Sequence, residues 1–139
     1  MQLYLLFFIL YGTMNRKELI NIAIEAKKNS YSPYSRFRVG SALSCKNGKV
    51  FSGANVENSS YSLTVCAERT AILKAVSEGE KEFDTIVVAT DAEELTPPCG
   101  ACLQVIYEFN SKMKIILTNG KKSKNFVITD LLSYPFKFK

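Results

Sequence analysis

Thr85 to Thr90 reads TIVVAT, a short run that is apolar almost throughout. A strand that alternates hides one face, whereas an uninterrupted one needs cover on both. This run therefore predicts a central strand with helices above and below it. The rest of the chain can supply that cover. Asn15 to Asn29 predicts a helix, with Leu19, Ile22, Ala23 and Ala26 on one face at a 3.6 period and lysines on much of the other. Strands are expected over Phe37–Cys45 and Val50–Val56, joined by the hairpin turn Asn47-Gly48. A helix comes next over Cys66–Glu78, with Ala67, Ala71, Ala75 and Val76 as small packing residues and Gly79 ending it. Pro97-Pro98 opens another helix, Cys99–Phe109, and Lys114–Thr118 and Phe126–Thr129 predict two more strands. The order α-β-β-α-β-α-β-β implies an α/β fold, a three-layer α/β/α sandwich on one mixed five-stranded sheet.

A chain of 139 residues with 47% hydrophobic and 22% charged residues reads as one ordinary globular domain. At that size folding buries roughly 70% of the surface exposed by the unfolded chain, so a core forms without disulfide staples. Residues 1–13, MQLYLLFFILYGT, differ in character from the rest of the chain and are expected to form an apolar extension outside the core, with the domain over 14–139. The run Leu3 to Tyr11 is too short to cross a bilayer as a helix, and it lacks the basic start of a secretory signal. A weak membrane-contact segment is the lesser reading. The net charge of +5 owes much to Lys121, Lys122, Lys124, Lys137 and Lys139, which read as a solvated basic tail before they read as a nucleic-acid surface. Neither a membrane nor a nucleic acid is expected as a partner, and a cytoplasmic location is expected.

Four cysteines are present, Cys45, Cys66, Cys99 and Cys102, and histidine is absent. That removes the commonest metal ligand and the commonest general base at neutral pH. Cys99 and Cys102 lie three apart at the start of a predicted helix, so both thiols share a face. Alone, the pair reads equally as a redox couple, as two buried thiols or as part of a metal site. Cys66 begins another predicted helix, and Glu68 stands two residues later. Two helix N-termini, each carrying roughly half a positive charge, then point at thiolates, which suits zinc. Cys45, at the end of a strand, reads as a small buried thiol, which leaves a three-cysteine site with an open position beside a carboxylate. Such an arrangement is hydrolytic in character.

Cys66-Ala67-Glu68 followed by Pro98-Cys99-Gly100-Ala101-Cys102 resembles the zinc-dependent cytidine deaminases, in the small homotetrameric form whose three zinc ligands are all cysteine. The resemblance runs from about Met14 to Phe136. It implies one zinc ion per subunit held by Cys66, Cys99 and Cys102. It implies hydrolytic conversion of cytidine and deoxycytidine to uridine and deoxyuridine plus ammonia, in pyrimidine salvage. Zinc-activated water and Glu68 as proton shuttle carry that reaction. Arg69 is implied to offset thiolate charge. Phe37, in Phe37-Arg38-Val39-Gly40, is implied to pack on the pyrimidine, Asn55 and Glu57 of Asn55-Val56-Glu57-Asn58 to grip the ribose, and Ala67 to contact the base. Tyr61 matches a tyrosine that reaches a neighbouring subunit's site. Phe136, after Leu131-Leu132, matches the phenylalanine that closes the base pocket. The chain departs from the family pattern at Ser59, usually alanine, at Ser133, usually proline, and at Leu103, usually arginine. The rival enzymes are a blasticidin-type deaminase and one acting on a base in RNA or DNA; the rival of another class is a non-catalytic zinc module.

Overall fold

The first helix starts on a reciprocal cap. Asn15 Oδ1 accepts the Glu18 N–H at 3.0 Å, and Glu18 Oε2 accepts the Asn15 N–H at 2.8 Å. The computed structural model describes residues 14–139, so the expected extension over 1–13 lies outside the described residues. From that cap run α1 (Arg16–Ala26), β1 (Val39–Cys45), β2 (Val50–Ala54), α2 (Ala67–Ser77), β3 (Phe83–Thr90), α3 (Gly100–Phe109), β4 (Lys114–Thr118), β5 (Ser123–Val127) and the single turn α4 (Ile128–Leu131). The five strands form one mixed sheet in the order β2-β1-β3-β4-β5, with β3 and β4 parallel and the other pairs antiparallel.

The TIVVAT strand has the double cover its composition demands. Ile86 and Val88 face one cluster with Ile72, Leu103 and Ile106, while Val87 and Ala89 face the other with Leu19 and Ala23. Each buried valine, leucine or isoleucine among them is worth about 1.5–3 kcal/mol relative to exposure. Two glycines set how closely the helices approach. A Cβ on Gly40 would lie 2.0 Å from the Ala23 carbonyl of α1. A Cβ on Gly53 would lie 2.4 Å from the Ala67 carbonyl and 2.6 Å from the Ala71 nitrogen of α2. Both helices therefore rest backbone to backbone on the sheet, from opposite sides.

The end of the chain departs from expectation. The predicted strand Phe126–Thr129 is instead β5 over Ser123–Val127, with Ile128 opening a helical turn. β5 is an edge strand whose Ser123, Lys124 and Asn125 are exposed, so the ladder needs no apolar pattern and hydrophobicity misplaces it. Asp130 accepts the Val127 N–H at 2.8 Å and turns the chain, which drops Ile128 into the core at 0% exposure. β1 begins two residues later than expected: the Asn55 side chain, in place of a strand partner, takes the Phe37 carbonyl and the Val39 N–H. Beyond, Asp91 pairs with both Lys27 and Arg38 and ties the end of α1 and the start of β1 to the turn after β3.

Candidate metal centre

Cys66 and Cys99 are the N-cap residues of α2 and α3, each with extended backbone, so the two helix starts converge on sulfur. A cysteine cap leaves first-turn N–H groups free to stabilise negative charge, as the helix dipole does. Cys102 lies in the first turn of α3 and is fully buried. The three sulfurs lie within 4.8 Å of one another, with Cys66 Sγ and Cys99 Sγ 3.9 Å apart. A tetrahedron with Zn–S bonds of ~2.3 Å has sulfurs about 3.8 Å apart, so the donor set fits zinc in both softness and spacing. None of these cysteines forms a disulfide. Cys45 stands apart from the cluster, buried in the core with its thiol pushed up to about 11 chiefly by burial.

Hydrogen bonding from Cys102, and then Arg69, pulls the Cys66 thiol below its ordinary range and favours the thiolate. Arg69 Nη2 lies 3.5 Å from Cys66 Sγ and 3.4 Å from the Thr64 carbonyl, while its Nε is buried without a hydrogen-bond partner among the described residues. Leu103, where the family pattern has arginine, packs into the core at 7% exposure and brings no charge to the cluster. Glu68 is 4% exposed. Burial, reinforced by the charge on Cys66, pushes its carboxyl up to about 7. Ala67 is the first residue of α2 and is fully buried against β2 through the Gly53 contact.

Phe37, Asn55 and Glu57 form a second group, joined by hydrogen bonds through the loop before β1. Asn55 Oδ1 accepts from the Val39 N–H at 2.9 Å and from the Ser30 hydroxyl, and its Nδ2 donates to the Phe37 carbonyl at 2.8 Å. Glu57 Oε1 accepts from the Tyr34 and Ser35 N–H groups at 3.0 and 3.1 Å, and Oε2 accepts from the Ser35 hydroxyl at 2.6 Å. The Ser35 hydroxyl is the main reason the Glu57 carboxyl is held below the ordinary range. Asn55 and Glu57 thus set the shape of the loop that carries Phe37, while one Nδ2 hydrogen and a lone pair on Oε2 are left over for a ligand. The intervening Val56 pairs with Val65 through 2.9 Å bonds in both directions, and Val65 precedes Cys66. That short ladder couples the loop group to the cysteine cluster.

Tyr61 is 76% exposed and meets Tyr34 edge-on with ring centroids 6.1 Å apart. Phe136 is 71% exposed, and its main chain is held by the Gln104 carboxamide of α3. Sequence reasoning missed Ser35, Val65 and Gln104. The first two act through local backbone pairing. A lone amide within the largely apolar α3 was the only available sign of the third.

Comparison with known proteins matches these features. The family model for the cytidine and deoxycytidylate deaminase zinc-binding region matches residues 13–118. The chain is 55% identical over 125 residues to the cytidine deaminase of Halalkalibacterium halodurans, covering 88% of this chain and 95% of that one. It is 30% identical over 129 residues to the blasticidin-S deaminase of Bacillus cereus, covering 87% of this chain and 90% of that one. The crystal structure of cytidine deaminase from Burkholderia pseudomallei superposes with a TM-score of 0.85 at 41% identity, covering 88% of this chain and 100% of that one. Sandwich, cysteine cluster and buried carboxylate together define a zinc-dependent hydrolase, with one zinc ion per subunit. The chain belongs to the cytidine deaminase family.

Proposed function

We propose that this protein hydrolyses cytidine and deoxycytidine to uridine and deoxyuridine with release of ammonia, with a place in pyrimidine salvage. The observation that carries the reading is Glu68, a carboxyl only 4% exposed that stands two residues after Cys66 of the three-sulfur cluster. Cys66, Cys99 and Cys102 hold the metal. Bound zinc supplies an acidified water as the nucleophile for the base C4 position. Glu68 accepts one proton of that water and passes it to ring N3. It then takes the second from the hydroxyl added at C4 and delivers it to the amino group, which leaves as ammonia while the C4 oxygen becomes the carbonyl. A carboxyl titrating near neutrality both takes and returns a proton at little cost, which an ordinary carboxylate does not. The two helix N-termini and Arg69 offset the negative charge of three thiolates around a dication.

Phe37 packs on the pyrimidine, Asn55 and Glu57 use their remaining valences on the ribose, and the first-turn N–H of Ala67 reaches the base. Tyr31, Tyr34, Phe37, Tyr61 and Leu63 are large exposed apolar residues along the same stretch as these groups. That supports a homotetramer in which Tyr61 reaches a neighbouring subunit's site, while Phe136 closes the base pocket. A cytoplasmic location belongs to the same reading; no helix among the described residues is long and apolar enough to cross a membrane.

Purified protein incubated with cytidine, blasticidin S and a cytosine-containing oligonucleotide, with and without a zinc chelator, tests the reading. Chelator-sensitive loss of cytidine absorbance, with little or none for the other two, is expected. Preferential loss of blasticidin S, or turnover of the oligonucleotide alone, would overturn it.

A further inference from the structure

Residues 133–139 have no regular secondary structure after the Leu132 N–H bond to Ile128. Among the described residues, the hydrogen bonds of this tail run through Phe136, and both go to one side chain. Gln104 Oε1 accepts the Phe136 N–H at 3.0 Å, and Gln104 Nε2 donates to the Phe136 carbonyl at 2.9 Å. The carboxamide therefore pairs with both main-chain groups of Phe136 as a neighbouring strand would. One turn further along α3, Lys137 Nζ lies 5.6 Å from the Tyr107 ring centroid, so tail and helix run side by side over consecutive contacts. The Phe136 ring itself is 71% exposed and does not anchor the segment by packing.

Two bonds to one residue fix its φ/ψ and the direction of its side chain, where a single bond leaves it to pivot. Gln104 stands two residues beyond Cys102 on the same helix and so projects from its other side. Pro135 fixes its own φ and restricts Tyr134, which leaves the φ and ψ of Phe136 itself to be set by its two bonds.

We propose that Gln104 is a positioning residue for substrate binding: its carboxamide clamps the main chain of Phe136 and so fixes the direction in which the aromatic ring of the base pocket is presented. This rests on the proposed cytidine deaminase reading, in which Phe136 closes that pocket. Gln104 touches no reacting atom, and its effect passes entirely through Phe136.

The test is a double-mutant cycle on the zinc-loaded enzyme with cytidine, using Phe136→Ala, Gln104→Met and the double variant. Methionine keeps the length of glutamine and removes both hydrogen bonds. Loss of an aromatic contact to a base is expected to raise KM about tenfold. Gln104→Met is expected to raise KM by a similar factor with kcat changed less than twofold, and the double variant to be no worse than Phe136→Ala alone. Zinc content stays at the wild-type level in all three. Gln104→Asn, too short to reach both groups, should reproduce Gln104→Met and serves if that variant folds poorly. If Phe136→Ala raises KM while Gln104→Met leaves it unchanged, or if the two effects multiply, the clamp is refuted and the role of Phe136 stands. If Phe136→Ala leaves KM unchanged while cytidine is still turned over, the assignment of Phe136 fails, and the clamp's purpose fails with it. Absence of cytidine turnover in the wild type would instead refute the deaminase reading itself.

Discussion

The cysteine cluster and the aromatic groups proposed to surround the substrate are built in opposite ways. Cys66, Glu68, Cys99 and Cys102 sit on the first turns of two helices that rest on the sheet, and Glu68 and Cys102 are almost fully buried. Phe37, Tyr61 and Phe136 sit on a loop, a short 3-10 turn and a tail, with exposures of 39%, 76% and 71%. Reacting groups need sub-ångström constancy, which rigid elements and shared burial provide. Recognition groups tolerate more freedom and are held by a few hydrogen bonds. The contrast teaches that the chemistry is assembled within one chain, while the pocket around it is left for other segments to complete.

The largest effect should come from Glu68→Gln, which removes the proton shuttle but keeps the shape. Turnover of cytidine should fall by about 10²–10⁴-fold with zinc retained. A variant keeping a tenth of the activity would remove Glu68 from its role. The same change has a stability signature in zinc-free protein. Burial raises the Glu68 pKa to about 7, so the folded state holds this proton more tightly than the unfolded one. Its contribution is therefore most favourable below the ordinary carboxylate range and is lost as pH rises toward and through 7. Relative to Glu68→Gln, the zinc-free wild type should lose about 3 kcal/mol of stability between pH 4 and pH 8. Parallel pH profiles of urea unfolding in the two proteins would contradict the role given to burial.

Gly53→Ala and Gly40→Ala sharpen the comparison between the two helical layers. Each places a Cβ against helix backbone, and each should cost about 3 kcal/mol or abolish folding. Only Gly53 lies under the helix that starts at Cys66, so zinc affinity should fall in Gly53→Ala and survive in Gly40→Ala. Equal zinc loss in both would mean that general destabilisation, and not displacement of α2, governs the metal. Glu57→Gln loosens the recognition side alone. It weakens the three bonds that hold Tyr34 and Ser35, so KM for cytidine should rise severalfold at unchanged zinc content. An unaltered KM would show that the Phe37 loop keeps its shape without this carboxylate. Deleting residues 1–13 should have the smallest effect, with cytidine turnover and elution volume unchanged; aggregation or a changed oligomeric state would place that segment in an interface or the core.

The same contrast decides what could be read from the sequence. The metal-binding half was legible because its residue types are rare and its spacing is tied to helix starts. Cys99 and Cys102 followed a proline pair, Cys66 and Glu68 opened another predicted helix, and together they pointed at one chemistry. The central strand was legible because its unbroken apolar run has only one stable environment. The polar edge strand β5 was not, since Ser123, Lys124 and Asn125 pair through backbone alone and carry no pattern. Asn55 and Glu57 were found as a polar pair, but their grip on the Phe37 loop depends on partners some twenty residues away, beyond any local period. Gln104 was invisible for a similar reason. An amide that binds the main chain of a residue 32 positions later leaves no mark on the sequence around it.

Whether an open three-sulfur zinc site deaminates cytidine is tested most directly by titrating zinc into metal-free protein while following cytidine absorbance. Activity should rise in proportion to added zinc and stop rising at one ion per chain. Full zinc loading with no loss of cytidine, or a break in the titration at one ion shared between two chains, would contradict such a site.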